Sequence, residues 1–381
     1  MAAMRNESTA PGMANGAQIP LNDFNLPQLP TEAGGLIALT LTSVISVEQY
    51  GNVLQQPWKV THLPPSIQSL TLESFTRGYP TGFLRALIAE LPELRSLIVY
   101  GQSFTGASEE TEEDAVTFIK GARKLRALHL LDTFITASFV KTIAPVVKSL
   151  EKPLMFLEIN YTYGRGNNKL TESVPAGELS SLIHHGLISC TFNIAPPENA
   201  NNGVDIEPLD DGVQTIDSSF SEFLITSLVG EDSAPRFLKN LNITLYTICI
   251  EQFRSLIVKH EGLMALSASI SVSNVGTWKG KVFDAIAEGR NLEQVEIVLC
   301  PTHQVGELDV SLDEQRLAEL SKACKKLKTF KINQRRCIKT KSSLECSVIA
   351  GSWKIDLKLP EVRSEAARTK KLTKEIWSPW T

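Results

Sequence analysis

The sequence predicts an α/β solenoid of about ten irregular repeats. The first indication is a recurring L-x-x-L-x-L segment, whose last three residues alternate between apolar and polar as in a half-buried strand. The second is an amphipathic run before each copy, such as residues 83–91 and 115–122, with apolar residues three and four apart as in a helix. The third is the spacing, because the middle residues of five successive copies are 27, 31, 29 and 33 residues apart. One strand and one helix per step is typical of stacked repeats.

The apolar pattern is clearest in five copies and weaker in five others. The clear copies are Leu36-Leu39-Leu41, Leu94-Leu97-Val99, Leu125-Leu128-Leu130, Leu154-Leu157-Ile159 and Leu238-Leu241-Ile243. The weaker copies are Ile67-Leu70-Leu72, Leu187-Cys190-Phe192, Leu263-Leu266-Ala268, Leu292-Val295-Ile297 and Leu327-Phe330-Ile332. Alternate side chains of a strand point to opposite faces. We therefore expect these residues to enter the core, and the residues between them to line the other face.

Stacking explains why so short a unit can be stable. A single repeat cannot bury its apolar face, but neighbours in a stack cover one another. Helices are bulkier than strands, so the stack should bend into an arc with parallel strands on its concave face and helices on its convex face. The alternative is an ordinary α/β protein with a parallel sheet. Doubly wound strands are covered on both faces and are nearly continuously apolar, whereas these strands alternate, which favours the solenoid.

The chain divides by composition into a solenoid with flanking segments. We expect a flexible N-terminal segment at 1–35, the solenoid at 36–343, a C-terminal cap at 344–360 and a charged tail at 361–381. Residues 195–217 interrupt the solenoid with Pro, Asn, Gly and acidic residues and no Lys or Arg, which predicts a long surface loop. This acidic loop is either an insertion without a role or a flap over the concave face. Residues 353–359 alternate as an edge strand within the cap.

Composition favours a protein of the cytoplasm or nucleus. The longest apolar stretches are about strand length, far below the roughly 20 residues that cross a bilayer. The N-terminus lacks the apolar run of a secretory signal. Six cysteines include no CxxC pair, so neither a disulfide framework nor a cofactor is expected. Cys324, Cys337 and Cys346 with His303 could be drawn as a zinc set, but zinc ligands usually come in close pairs, so we predict no metal site.

Charge is unevenly distributed although the net charge is only −4. Residues 201–319 hold 8 basic and 19 acidic residues, and residues 320–381 hold 16 basic and 5 acidic ones. A basic end can bind an anion, and the candidate patch is Lys328, Lys331, Arg335 and Arg336. The alternative is the polar outer face of a capping repeat. Nucleic acid is disfavoured, since Phe330 is the one aromatic residue among these basic residues and belongs to the predicted core.

The residues between the leucines are the candidate partner-binding surface. The candidates on the concave face and its rim are Tyr100, His129, Leu131, Phe156, Glu158, Asn160, Tyr161, Tyr163, Asn240 and Asn242. Further rings follow successive strands, at Phe75, Tyr79, Phe104 and Phe134. Since aromatic residues often anchor interfaces, we predict an exposed aromatic patch near repeats three to five. The alternative is that these rings pack under their own loops.

The sequence offers little for catalysis. It contains no G-x-S-x-G, H-E-x-x-H or P-loop motif. His129 and Glu158 on neighbouring strands are the one acid/base pair that the predicted register places on a single surface, and a polar surface pair is the other interpretation. We therefore predict that the chain is not an enzyme. A catalytic site assembled from distant residues is the remaining alternative.

Over residues 36–335 the chain resembles the long, irregular leucine-rich repeats of the ribonuclease-inhibitor-like type, particularly the repeat part of fungal and plant F-box/leucine-rich-repeat proteins. In that family the repeats hold a substrate protein, and an N-terminal F-box docks on an adaptor of a cullin ubiquitin ligase. Leu29, Pro30, Thr31 and Glu32 look like the opening of an F-box, but residues 33–36 do not continue as its helices. The resemblance implies a substrate-recognition module with a protein partner and a ligase adaptor. A stand-alone scaffold without a ubiquitin link is the alternative.

Overall fold

The structure is a computed structural model. It describes residues 16–29, 35–100, 103–106, 108–131, 135–162, 174–195, 218–231, 234–273, 276–301, 314–339 and 344–349. The chain forms two compact units, Met1–Leu125 and Arg126–Thr381, called here the N-terminal and C-terminal units.

The N-terminal unit contains four parallel strands that neighbour one another in chain order. They are β1 (Gly16–Leu21), β2 (Ala38–Ser43), β3 (Ser69–Glu73) and β4 (Ser96–Tyr100). Its helices are α1 (Val47–Val53), α2 (Phe83–Ala89) and α3 (Glu109–Gly121). Leu39 pairs with Leu70, and Leu70 with Leu97, so the predicted middle residues of three repeats lie in one register.

Strand β1 corrects the expected N-terminal boundary. The segment 1–35 was expected to be flexible, yet Gly16–Leu21 pairs in parallel with β2, so the sheet begins twenty residues or so before the first leucine motif. This strand has no L-x-x-L-x-L signature. Its inward residues are Ala17, Ile19 and Leu21, of which only Leu21 is fully buried. Among the described residues, β1 pairs with a strand on one side only. A short edge strand of this kind has too few alternating apolar and polar residues to be predicted from the sequence.

The C-terminal unit continues the same plan with seven parallel strands in chain order and an antiparallel eighth. The parallel strands are β5 (Ala127–Leu131), β6 (Phe156–Thr162), β7 (Ser189–Ala195), β8 (Asn240–Ile248), β9 (Ala265–Val272), β10 (Gln294–Pro301) and β11 (Thr329–Lys339). Strand β12 (Leu344–Ile349) pairs antiparallel with β11. The middle residues again share one register, which runs through Leu128, Leu157, Cys190, Leu241, Leu266, Val295 and Phe330.

Helices alternate with these strands. They are α4 (Ala137–Lys148), α5 (Ala176–Leu179, followed by the 3₁₀ turn Ser180–Leu182), α6 (Ser218–Val229), α7 (Ile250–Lys259), α8 (Trp278–Ala287) and α9 (Glu314–Ala323). Helix α4 begins where the Thr136 hydroxyl accepts a hydrogen bond from the Phe139 amide, and α7 begins in a capping box between Cys249 and Gln252. The described residues do not include most of the acidic loop, residues 353–359 of the cap or the tail 361–381.

The buried residues confirm the repeat prediction. Ten copies of three motif residues were expected in the core, and every one is buried, with Leu36 the most exposed at 8%. Neighbouring strands in chain order are what a stack of repeats requires, whereas a doubly wound sheet would reverse its strand order. Each unit is therefore an α/β leucine-rich-repeat solenoid.

A buried carboxylate joins two helices of the N-terminal unit. Asp114 in α3 is 2% exposed, accepts a hydrogen bond from the Gly82 amide at the start of α2, and lies 3.2 Å from the Arg85 guanidinium. Gly82 has φ of +86°, which other residues adopt with strain. The side chain of Asp114 thus accepts a hydrogen bond from a backbone amide at the start of the helix in the preceding repeat, where amides lack partners within the helix.

We expect Asp114→Ala to lower the free energy of unfolding by about 2 kcal/mol, because the α2 amide and Arg85 lose their anionic partner. Urea denaturation followed by circular dichroism measures the change. Glu113→Ala removes an exposed carboxylate from the same helix and is the matched control. Equal stability of the two variants would contradict this role for Asp114.

Candidate functional site

The candidate site lies on the open face of the C-terminal unit, defined as the sheet face opposite the inward leucines. One residue of each parallel strand contributes to a row across this face, at the position between the last two motif residues. This polar row consists of His129, Glu158, Thr191, Asn242, Ser267, Glu296 and Lys331, each in register with the next. At about 4.8 Å per strand the row is roughly 29 Å long. Every member is polar, so this row is distinct from the apolar core.

The charged members of the row lie at its two ends and are paired there. Nδ1 of His129 lies 2.8 Å from Oε2 of Glu158, and Nζ of Lys331 lies 3.7 Å from Oε2 of Glu296. The middle of the row is uncharged. There Asn242 contacts Thr244 of the same strand, since its Oδ1 accepts hydrogen bonds from both the amide and the hydroxyl of Thr244.

Several polar side-chain atoms near the middle of the open face are buried and have no hydrogen-bond partner in the described part of the chain. They belong to three adjacent strands, and we call them the β6–β8 cluster. The atoms are Oδ1 of Asn160, Oγ of Ser189, Oγ1 of Thr191, Oδ1 of Asn193 and Nδ2 of Asn240. A buried polar group without a partner costs about 1–3 kcal/mol. Groups of this kind call for an explanation, and a binding site is one.

The register brings the cluster together. Asn160 pairs with Asn193 across β6 and β7, and Ser189 pairs with Asn240 across β7 and β8. Thr191 lies between these two pairs on β7 and is only 2% exposed. Sequence reasoning placed Asn160, Thr191, Asn193 and Asn240 on this face and selected Asn160 and Asn240 as binding residues. It did not place Ser189 there.

The other predicted binding residues divide by exposure. Leu131, Glu158, Asn160 and Asn242 are half-buried on the open face, as expected. His129, Phe156, Tyr161 and Asn240 are buried, at 8%, 5%, 2% and 5% exposure. Tyr100 belongs to β4 of the N-terminal unit and is 48% exposed. Tyr163 lies outside the described residues.

The prediction of an exposed aromatic patch is wrong for every described ring that follows a strand. Phe75, Tyr79 and Phe104 of the N-terminal unit and Tyr161 of the C-terminal unit are all at most 5% exposed. The ring centroid of Tyr79 lies 4.9 Å from that of Phe75 and 6.5 Å from that of Phe104. These rings extend the core beneath the loops of successive repeats, which was the alternative interpretation. Phe134 lies outside the described residues.

The proposed anion patch is already matched by carboxylates where its side chains are described. Lys328 forms an ion pair with Glu293, and Lys331 approaches Glu296. Both acids belong to the preceding repeat, so these two lysines add little positive charge to the surface. The side chains of Arg335 and Arg336 lie outside the described part, and their role stays a prediction.

The His129 imidazole lies far from the hydroxyls of the polar row. Glu158 lies in register between His129 and Thr191. The imidazole and the nearest hydroxyl of the row are therefore two strand spacings apart, roughly 10 Å, too far for a proton transfer. Within the described ranges, no group of three or more His, Cys, Asp or Glu residues could hold a metal ion. A search of the same ranges finds no helix with the length and apolar character needed to cross a membrane.

Two buried histidines lie away from the open face. Burial, followed by the nearby His185 and Lys148, lowers the pKa of His184 to about 4. Its Nδ1 accepts a hydrogen bond from the Gly186 amide at 3.2 Å. Burial also lowers the pKa of His260, whose Nε2 donates to the Leu228 carbonyl at 2.9 Å. Both are neutral packing groups at physiological pH.

No family model matches the chain, and no curated protein matches it. A solved structure that resembles it is the "Crystal structure of Rad7 and Elc1 complex in yeast", at 12% sequence identity and a TM-score of 0.33. The likeness covers 77% of this chain and 74% of that chain.

Proposed function

We propose that this chain is a recognition module that binds a partner protein through the open face of its C-terminal unit. The β6–β8 cluster is the observation that carries the proposal. Buried hydrogen-bonding groups that the described chain leaves without partners lower stability, and a bound partner would remove that cost.

The composition of the open face supports a protein as the partner. Interfaces between proteins combine apolar contacts with roughly one hydrogen bond per 100–200 Å². The polar row supplies uncharged donors and acceptors in its middle and charged pairs at its ends. The half-buried Leu131 adds apolar surface beside Asn160, with which it is in register.

The finer part of the proposal is a role as a substrate-recognition component related to F-box/leucine-rich-repeat ubiquitin-ligase subunits, working in the cytoplasm or nucleus without a catalytic site of its own. The resemblance of the repeats favours this role. A stand-alone scaffold or adaptor is the second candidate, because the residues after Glu32 do not continue as an F-box.

Two matched serine substitutions test the proposal. Ser267→Arg places a long cation in the middle of the polar row, whereas Ser255→Arg places the same side chain on an exposed position of α7. Affinity purification from the native organism should recover the same partner proteins with wild type and with Ser255→Arg. With Ser267→Arg, the recovered amount of these proteins should fall at least ten-fold. Circular dichroism checks that both variants are folded.

The recovered proteins distinguish the two candidate roles. A ligase adaptor together with a cullin supports the ubiquitin-ligase role, and a partner set without them supports the scaffold. The same set of proteins with both variants would overturn binding through the open face.

A further inference from the structure

The chemistry of the β6–β8 cluster is that of the peptide group. Asn160, Asn193 and Asn240 carry primary amides, and Ser189 and Thr191 carry hydroxyls, so each side chain can both donate and accept a hydrogen bond. A side-chain amide presents the same N–H and C=O pair as a peptide bond. It can therefore donate one hydrogen bond to the main chain of a partner and accept another from it.

The cluster has the dimensions of a short extended segment. Along β7 it runs over the five residues from Ser189 to Asn193, a distance of about 13 Å. Across the sheet it covers three strands, about 10 Å between the outer two. An extended peptide rises about 3.3 Å per residue, so roughly four residues of a partner would span it in either of these directions.

The charges of the described strands disfavour an anionic ligand at this place. Strands β7 and β8 contain no charged residue. The nearest charged member of the polar row is Glu158, in register with Thr191. A phosphate or carboxylate here would meet a carboxylate and, within the described strands β6–β8, no Lys or Arg.

Within the described strands, the cluster also lacks an exposed aromatic ring, which a sugar ligand would favour. Sugars stack their apolar faces on accessible aromatic rings. Phe156 is the aromatic residue at a described open-face position of these three strands, and it is only 5% exposed. An uncharged peptide fits the cluster better, since it needs hydrogen bonds but no ring.

We propose that the β6–β8 cluster binds the main chain of an extended, uncharged segment of about four residues in the partner protein. The inference rests on the proposed function and adds the chemistry of what is recognised. The Asn amides bind peptide groups and Thr191 adds a hydroxyl at the centre. Glu158, paired with His129, borders the segment on β6, whereas the Glu296–Lys331 pair lies outside it.

A displayed library of random 12-residue peptides, selected on the full-length protein, provides the probe. We expect enriched peptides to share a stretch of about four uncharged residues. Their Kd should change less than about two-fold between 0.05 and 0.5 M NaCl, because no ion pair forms. A strong salt dependence, or selection of acidic or basic peptides, would overturn the inference.

Variants then test the individual groups. Thr191→Val keeps the shape and removes the hydroxyl, and Asn193→Leu removes the amide, so each should weaken peptide binding at least five-fold. Asn52→Leu, at an exposed position of α1, is the control and should leave the Kd unchanged. Thr191→Val should also shift the urea midpoint upward, since it removes a buried hydroxyl without a described partner. Weaker binding by a more stable protein cannot arise from unfolding.

The remaining outcomes separate this inference from the proposed function. If Ser267→Arg abolishes partner recovery while no peptide is selected, the partner binds as a folded surface and the inference is wrong. The inference also fails if peptides bind but Thr191→Val and Asn193→Leu bind them as wild type does. Binding of glycans on a glycan array, with no peptide selected from the library, would replace the proposed peptide site with a sugar site.

Discussion

Leu157→Ala should lower the free energy of unfolding by about 2–5 kcal/mol, the range for removing a fully buried leucine side chain. Leu157 is 0% exposed and lies in register between Leu128 and Cys190, so each neighbouring repeat places a buried side chain against it. In a stack of repeats the inward residue is shared by two interfaces. The resulting cavity therefore weakens both contacts of its repeat.

The control is a leucine on the opposite face of the neighbouring strand. Leu131 in β5 occupies an open-face position and is half-buried. Leu131→Ala should cost less than about 1 kcal/mol, because partly exposed apolar area contributes less. Urea denaturation monitored by circular dichroism compares the variants. Similar losses for both would mean that the leucines do not separate into a core face and an open face.

The strands of the repeats could be predicted because their signal is local. Each L-x-L places two apolar residues on one face of a strand, and the same spacing recurs in every copy. Register followed from that spacing, as the pairing of Leu241 with Leu266 illustrates. Strand β1 escaped prediction because it has no such spacing, and its place in the sheet depends on pairing with β2.

The site was less predictable because it depends on contacts between distant residues. The sequence shows that Thr191 and Ser267 are polar residues between apolar ones, but not that Thr191 is buried and Ser267 only partly so. The aromatic rings near Tyr79 illustrate the same limit. An aromatic residue after a strand is either a binding anchor or a core residue, and only the packing of the neighbouring repeats decides between them.

Stability should decrease as the pH falls below about 6.5, and His184 should account for much of the decrease. In the unfolded chain this imidazole takes up a proton near its usual pKa of 6.5, whereas in the folded protein burial holds its pKa at about 4. Between these values the unfolded state binds more protons, so acid favours unfolding. The full contribution of the neutral imidazole is present above pH 6.5 and is lost progressively down to about pH 4. This difference between the pKa values of the unfolded and folded states corresponds to roughly 3 kcal/mol of unfolding free energy.

The substitution that isolates this effect is His184→Gln, whose side chain does not titrate and retains an acceptor for the Gly186 amide. The difference in unfolding free energy between pH 7 and pH 4 should be smaller in this variant by up to about 3 kcal/mol. His260, with a pKa lowered in the same direction, should keep some acid sensitivity in the variant. His62→Gln makes the same substitution at an imidazole that is 92% exposed and is the control. If His184→Gln loses stability with acid as steeply as wild type does, His184 is not held neutral in the folded protein.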